Sequence, residues 1–238
     1  MKIGSKEWSQ VIIDGAREFD LDLDRHHTDL FAAHAAELLH WNKVINLTAI
    51  TDPDEIAIKH FVDSLAPAKL ISSGAVLLDI GSGGGFPGIP LKVVIPSLSI
   101  TLIDASRKKV NFLQHVIRTL RLEGIAARHI RAQDLAGDPA YQRHFEFITC
   151  RALTDLKSFV HQALPLLVSN GEIIALKGRV DQAEVEAVRY FIPDDQSDLE
   201  FNHGPFFPAV ETYQLPFSQS KRSIIRIRKI TQAINNIS

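Results

Sequence analysis

The pattern of hydrophobic and polar positions changes near residue 70. Before that point apolar side chains such as Leu30, Phe31 and Leu38 recur at helical spacing. The predicted helices span residues 5–19, 28–44 and 53–66. Thr28 is the predicted cap of the second helix, and Pro53 falls in the tolerated first turn of the third. We expect residues 1–70 to form an N-terminal helical cap.

From residue 75 onward, short apolar runs alternate with longer amphipathic ones. The predicted strands are Ala75–Ile80, Ser99–Asp104, Ile125–Ile130, Phe145–Cys150 and Gly171–Leu176, with helices near 87–95, 107–122, 155–168 and 180–192. Such alternation is typical of an α/β fold with a mostly parallel central sheet. The segments "ETYQLPF" and "RSIIRIRK" flank a polar Ser-Gln-Ser-Lys-Arg turn, which predicts a C-terminal antiparallel hairpin. Residues 71–238 are therefore assigned to one α/β domain.

Composition adds several exclusions. The 238 residues are 45% hydrophobic with a net charge of −2, as in an ordinary globular protein. No apolar run reaches the length of a membrane span, and the first ten residues lack the apolar centre of a signal peptide. The single cysteine, Cys150, excludes an internal disulfide, and no histidine has a metal-ligand spacing with it. We expect a cytoplasmic monomer without metal or membrane contact.

Charge is distributed unevenly along the chain. Residues 1–30 carry four Lys/Arg against seven Asp/Glu, residues 102–131 carry seven against two, and residues 212–238 carry five against none. One basic run is often only a solvated face, but two in a near-neutral chain favour a local anionic partner. The candidate contacts to an anionic backbone are Arg107, Lys108, Lys177, Arg179, Lys221, Arg222, Arg226 and Arg228.

A glycine-dense turn, "GSGGGFPG" at residues 81–88, follows the first predicted strand and opens a helix. Glycines can take positive φ and let a ligand lie against bare backbone, next to unpaired helix N–H groups. A phosphate-binding P-loop is excluded because Gly88 is followed by Ile89 instead of lysine. A dinucleotide fingerprint is excluded because Phe86 stands where its third glycine belongs.

The order Asp79-x-Gly81-x-Gly83-x-Gly85 looks like the first motif of S-adenosylmethionine-dependent methyltransferases, so these four residues are candidate cofactor-binding residues. The alternative is a purely structural strand–helix turn. Asp104 ends the second strand, where a carboxylate can accept both ribose hydroxyls of a bound nucleoside; alternatively it caps the next helix, a role that Ser106 can also fill. The remaining residues expected at the crevice are Ala132, Gln133 and Arg151, which follow the third and fourth strands.

Several sequence blocks, in order, resemble the glucose-inhibited division protein B (RsmG) family: "WNKVINLT", "KHFVDS", "LLDIGSGGGFPGIPL", "LIDASRKKVNFL", "CRAL" and "ALKG". The resemblance covers roughly residues 35–180 and the closing hairpin. It implies a class I S-adenosylmethionine-dependent methyltransferase (Rossmann-like) fold and methylation of N7 of guanine 527 in 16S rRNA of the small ribosomal subunit. It also implies cofactor contacts from Gly81, Phe86, Ala132, Gln133 and Arg151.

Guanine N7 is unprotonated at neutral pH and can attack a methyl group without losing a proton. No general base is therefore expected, and positioning should supply much of the catalysis. The candidates for positioning the base are Asn46, His60, Asp63 and Arg151.

Two other functions stay open at this stage. One is a methyltransferase for a small molecule or a protein, which the basic clusters disfavour. The other is a non-enzymatic module that binds S-adenosylmethionine or a nucleotide.

Overall fold

A seven-stranded sheet with the strand order β3-β2-β1-β4-β5-β7-β6 forms the centre of the protein. The computed structural model describes residues 1–151, 155–189 and 206–229. The strands are β1 Val76–Ile80, β2 Ser99–Asp104, β3 Ile125–His129, β4 Phe145–Arg151, β5 Leu167–Lys177, β6 Phe206–Gln214 and β7 Lys221–Lys229. β1 to β5 pair in parallel, and β7 is antiparallel to both β5 and β6. The predicted mostly parallel sheet with an antiparallel hairpin is confirmed.

The helices follow the predicted order. They are α1 Lys6–Arg17, α2 Arg25–Asn42, α3 Pro53–Ile56, α4 Asp63–Leu65, α5 Gly88–Val94, α6 Arg107–Thr119, α7 Ala132–Ala136, α8 Leu156–Ala163 and α9 Gln182–Arg189. The short α7 is absent from the predicted helices. The predicted end of the last helix, residues 190–192, lies outside the described residues.

The cap of α2 differs from its prediction. Asp24, four residues before Thr28, is the N-cap, and its carboxylate accepts the His27 backbone N–H at 3.1 Å. The His27 ring closes a reciprocal capping box on the Asp24 backbone. Thr28 is buried within the first turn and donates its hydroxyl to the Arg25 carbonyl. Helix α2 therefore starts earlier than its apolar pattern indicates.

The third predicted helix is continuous but not uniform. The α-helical Pro53–Ile56 continues into a π-helical turn, Ala57–Val62, and ends in the α-helical Asp63–Leu65. A π-turn inserts an extra residue into the helical register and is frequent at functional sites. Here the π-helical turn contains His60, which is buried.

Alternating strand residues pack against two separate hydrophobic layers. Leu77 belongs to a cluster that includes Trp8, Phe31 and Phe61 of the helical cap, whereas Leu78 belongs to the cluster under α8 and α9. This alternation is the two-residue period of a strand buried on both faces. The cap thus shares its core with one face of the sheet.

The hairpin turn lies earlier in the chain than predicted. β6 ends at Gln214 and β7 begins at Lys221, so that Lys221 and Arg222 are strand residues instead of turn residues. The Leu215 backbone N–H closes the turn on the Ser220 carbonyl at 2.9 Å. Leu215 is fully buried and anchors the start of the turn. The prediction placed the turn later because it relied on the polar residues that follow Leu215.

Within the described ranges, the longest and most apolar helical segments fall short of what is needed to cross a membrane.

Candidate active site

The predicted cofactor residues collect at the carboxyl ends of the strands. β1 pairs with β2 on one side and β4 on the other, so the strand order reverses direction at β1. In open α/β sheets, ligands bind in the crevice at such a switch point. Gly81 follows β1, Asp104 ends β2 and Arg151 ends β4.

The glycine loop leaves open space above its backbone. Gly81, Gly83 and Gly85 have φ of 71°, 54° and 89°, in the left-handed region that favours glycine. A Cβ atom built on Gly81 would meet nothing within 4 Å, and one on Gly83 would meet only the Gly81 carbonyl oxygen at 3.8 Å. The Gly81 N–H donates to the Ile103 carbonyl and fixes the loop against β2. The loop therefore offers a bare surface that a ligand can fill.

Asp104 connects this loop to the following helix. Its Oδ2 accepts the Gly83 N–H at 3.1 Å, and its Oδ1 accepts the Ser106 N–H at 2.8 Å. Ser106 is the N-cap residue of α6, but its hydroxyl makes no capping hydrogen bond, contrary to expectation. Each carboxylate oxygen retains a further lone pair, so Asp104 can still accept hydroxyl groups.

Asp79 supports the loop from below. Its carboxyl group is fully buried, where Oδ2 accepts the Gly88 N–H at 3.2 Å and Oδ1 accepts the Thr149 hydroxyl at 3.2 Å. Burial raises the pKa of Asp79 to about 7. Because its partners are internal, Asp79 shapes the loop and does not face the crevice.

Arg151 joins the loop to the helical cap. Its guanidinium lies 4.7 Å from the centroid of the Phe86 ring, donates to the Lys59 carbonyl at 3.0 Å and contacts His60 Nδ1 at 3.1 Å. The His60 ring stacks on Phe86, with 4.6 Å between the centroids. Phe86, His60 and Arg151 therefore form one packed cluster at the end of β4.

The two histidines beside Phe86 are neutral at physiological pH. Burial lowers the pKa of His60 to about 3 and that of His34 to about 4, and the Arg151 charge adds to both shifts. A guanidinium only donates, so His60 Nδ1 accepts and Nε2–H donates to the Thr48 hydroxyl at 2.8 Å. His34 Nε2–H donates to the Gly84 carbonyl at 2.8 Å.

A cavity of about 480 Å³ opens beside this cluster. Its lining residues are Ile50, Lys59, His60, Asp63, Arg151, Leu176, Lys177, Gly178, Arg179 and Arg222. The Asp63 carboxylate is buried, accepts the Tyr213 hydroxyl at 3.0 Å and lies 3.3 Å from Arg222 Nε. Burial raises the pKa of Asp63, whereas Arg151 and Arg222 oppose this effect.

Not every candidate residue meets at this cavity. Asn46 is exposed on the loop after α2 and does not line it. Ala132 is buried in the core, and Gln133 is exposed at the start of α7. The described residues contain no group of three or more His, Cys, Asp or Glu side chains able to hold a metal ion.

The predicted basic residues fall into two groups. Arg107, Lys108, Arg179 and Lys221 are exposed near the carboxyl ends of the strands. By contrast, the side chains of Lys177, Arg222, Arg226 and Arg228 pair with Glu184, Asp63 or Glu172.

Sequence reasoning missed Thr48, Lys59 and Tyr213. Lys59 directly precedes His60 in "KHFVDS", one of the blocks that resemble the family, so its position in that block could have marked it as a site residue. Tyr213 is separated from Asp63 by 150 positions, and only the fold brings the two together.

Comparisons with known proteins show the family of this chain. A family model described as rRNA small subunit methyltransferase G (GidB) matches residues 27–200. The chain belongs to this family. A "Ribosomal RNA small subunit methyltransferase G" from Geotalea uraniireducens (strain Rf4) is 41% identical over 221 residues, covering 93% of this chain and 96% of the relative. A protein of the same name from Geobacter sulfurreducens is 41% identical over 218 residues, covering 92% of this chain and 96% of the relative.

Solved structures share the fold of this GidB family member. A predicted O-methyltransferase from Agrobacterium tumefaciens has a TM-score of 0.55 at 15% identity, covering 71% of this chain and 81% of its own. A SAM-dependent methyltransferase from Aquifex aeolicus has a TM-score of 0.52 at 13% identity, and the match covers 75% of this chain and 94% of the Aquifex chain. The predicted class I methyltransferase fold is confirmed.

The buried carboxyl group of Asp79 predicts a pH dependence of stability. Its pKa rises from 3.8 to about 7 on folding, so the folded state binds the proton more tightly and stability falls as pH rises through this window. Asp79→Asn removes the ionisation and keeps an acceptor for Gly88. Urea denaturation should show the variant gaining about 2–3 kcal/mol relative to wild type between about pH 5 and about pH 8. A difference that is independent of pH would contradict the assignment.

Proposed function

We propose that this protein transfers a methyl group from S-adenosylmethionine to N7 of a guanine in 16S rRNA of the small ribosomal subunit. The observation that carries the proposal is the junction at Phe86, His60 and Arg151. One side of this junction is the open glycine loop, and the other is the cationic cavity. The names of the relatives support the rRNA substrate, and the family resemblance points to guanine 527.

The glycine loop fits the proposed cofactor. The open space above Gly81 and Gly83 can accept an amino-acid moiety without displacing protein atoms. Asp104 keeps free lone pairs for ribose hydroxyls, while Ala132 and Gln133 at the start of α7 are the proposed contacts of the adenine. S-adenosylmethionine, when bound, supplies an electrophilic methyl group.

The side chains at the junction position the base and do not remove a proton from it. His60 is neutral, and its two ring nitrogens are engaged with Arg151 and Thr48. Guanine N7 already carries a free lone pair, so the reaction needs orientation and exclusion of water more than it needs a base. The buried Phe86 ring and the cavity wall provide both.

Guanine N7 faces the deep, narrow major groove of A-form RNA, where side chains cannot reach it. The target base must therefore leave its stack and enter a pocket. A cavity of about 480 Å³ between the helical cap and the ends of β4 and β5 is large enough for one base.

Incubation with labelled S-adenosylmethionine and small ribosomal subunits that lack the modification tests the proposal. The label should be recovered, after nuclease digestion, in 7-methylguanosine of 16S rRNA. Parallel reactions with naked 16S rRNA identify the preferred form of the substrate. Recovery of the label in another nucleoside or in protein, or no transfer to either RNA substrate, would refute the proposed function.

Replacement of Gly81 should weaken cofactor binding specifically. Gly81→Ala puts a methyl group into the open space above the loop and strains a backbone with φ of 71°. Gly74→Ala is a matched control, because Gly74 has φ of 79° and also meets nothing within 4 Å. Both variants should lose a similar amount of stability, about 1 kcal/mol. Calorimetry should show weaker S-adenosylmethionine binding for Gly81→Ala alone; equal affinities would contradict the loop assignment.

The exposed cations at the carboxyl edge are the proposed phosphate contacts. They include Arg107, Lys108, Arg179 and Lys221. Arg226 is left out because it pairs with Glu172 and Glu211. Ser223 on β7 pairs with Lys177, the last residue of β5, and so marks the carboxyl edge of the sheet. Arg226 lies three residues further along β7, roughly 10 Å from that edge.

Removing two of these charges should change the salt dependence of RNA binding. For Arg107→Ala/Lys108→Ala, the slope of log affinity against log salt should fall by about 1.4–1.8, because each phosphate contact contributes roughly 0.7–0.9. Lys2→Ala/Lys6→Ala removes the same charge from the acidic amino-terminal segment and should leave the slope unchanged. Particle affinities measured at several salt concentrations would contradict the proposal if both double variants gave the wild-type slope.

A further inference from the structure

The composition of the cavity is unusual for a site that only attracts a phosphate. Five of its ten lining residues are cationic, and one is a carboxylate, Asp63. A phosphate has only acceptor oxygens when fully ionised and could use the cations but not this carboxylate. An aromatic base with both hydrogen-bond donors and acceptors can instead use the carboxylate and the cations together.

The Asp63 carboxylate is held by a cross-strand pair. Tyr213 on β6 and Arg222 on β7 are direct register partners, and both reach the same atom, Asp63 Oδ1. Oδ2 accepts no hydrogen bond from the residues that the structure describes. The hairpin therefore fixes one oxygen and leaves the other available to an occupant of the cavity.

We propose that Asp63 selects guanine by accepting, with the two lone pairs of Oδ2, the N1–H and N2–H donors on its Watson–Crick edge. This inference rests on the proposed function. Guanine presents these two donors side by side, with the O6 acceptor next to them, and a carboxylate among cationic donors matches that pattern. N7 lies on the opposite edge of the base and stays free to react. Adenine presents an acceptor at N1 and would meet the carboxylate unfavourably.

Tyr213 and Arg222 are positioning residues under this proposal. They do not need to touch the base, because their contacts with Oδ1 set the rotation of the carboxylate. The pairing also explains why Arg222, although cationic and at the edge of the cavity, is committed to a protein partner.

Inosine provides the test, because it lacks only the N2 amino group of guanine and retains N1–H, O6 and N7. Small subunits reconstituted with guanosine or inosine at the methylated position are compared for kcat/KM with wild type and Asp63→Asn. Wild type should prefer guanosine about 10–100-fold, the range expected for one hydrogen bond to a charged acceptor. In Asp63→Asn this preference should fall below about 3-fold, because the amide oxygen takes the Oδ1 position that Tyr213 and Arg222 hold and an NH2 donor, which cannot accept the N2–H, replaces Oδ2.

Guanosine and inosine differ in intrinsic reactivity, but this difference is the same for wild type and Asp63→Asn. Comparing the guanosine-to-inosine ratio of kcat/KM between the two enzymes therefore isolates the contact between Asp63 and the N2 amino group. Tyr213→Phe, which removes only the hydroxyl, should reduce the preference partly. S-adenosylmethionine affinity, measured by calorimetry, should stay unchanged in both variants and reports on correct folding.

An unchanged preference in Asp63→Asn, or a wild type that methylates inosine as efficiently as guanosine, would overturn the proposal. A wild type that methylates neither particle would instead refute the proposed function. A purely structural Asp63 would lower both rates together and leave their ratio intact.

Discussion

The site depends on the interactions of the partly buried Arg151 guanidinium. A buried cation is costly unless its donors are satisfied and opposite charge is near. Arg151 meets this demand through the Lys59 carbonyl, His60 and the face of Phe86, with Asp63 and Asp79 as nearby carboxyl groups. These partners come from the helical cap, the glycine loop and the sheet. The contacts that stabilise the Arg151 charge therefore hold these three parts of the site together.

This arrangement also explains why the histidines are not acid–base groups. The Arg151 charge and burial both favour neutral rings, so His34 and His60 act as stacking and hydrogen-bonding side chains around Phe86. A site in which packed side chains fix one another in this way suits a reaction governed by alignment. Burial lowers the pKa of His60 and raises the pKa of Asp79. Both shifts favour the uncharged forms of these side chains around the Arg151 guanidinium.

The sequence predicted the features that arise from local pattern. Strand–helix alternation, the glycine turn and Asp104 at the end of β2 depend on neighbouring residues, and the structure has all of them. Contacts over long separations were not predictable. The acid-free run that contains Arg226 suggested a free basic strand, but Glu172, 54 positions away on β5, neutralises it. Similarly, the helical pattern of residues 53–66 does not indicate the π-helical turn that contains His60.

Replacement of Arg151 by lysine tests this account most directly. Lysine keeps the charge but loses the planar group that stacks on Phe86 while donating to two acceptors. With folding monitored by near-ultraviolet circular dichroism, the account predicts that S-adenosylmethionine affinity and the single-turnover rate of rRNA methylation both fall at least about 10-fold. A folded Arg151→Lys variant with unchanged affinity and rate, or with only one of the two reduced, would contradict the role of Arg151 as the link between the two halves of the site.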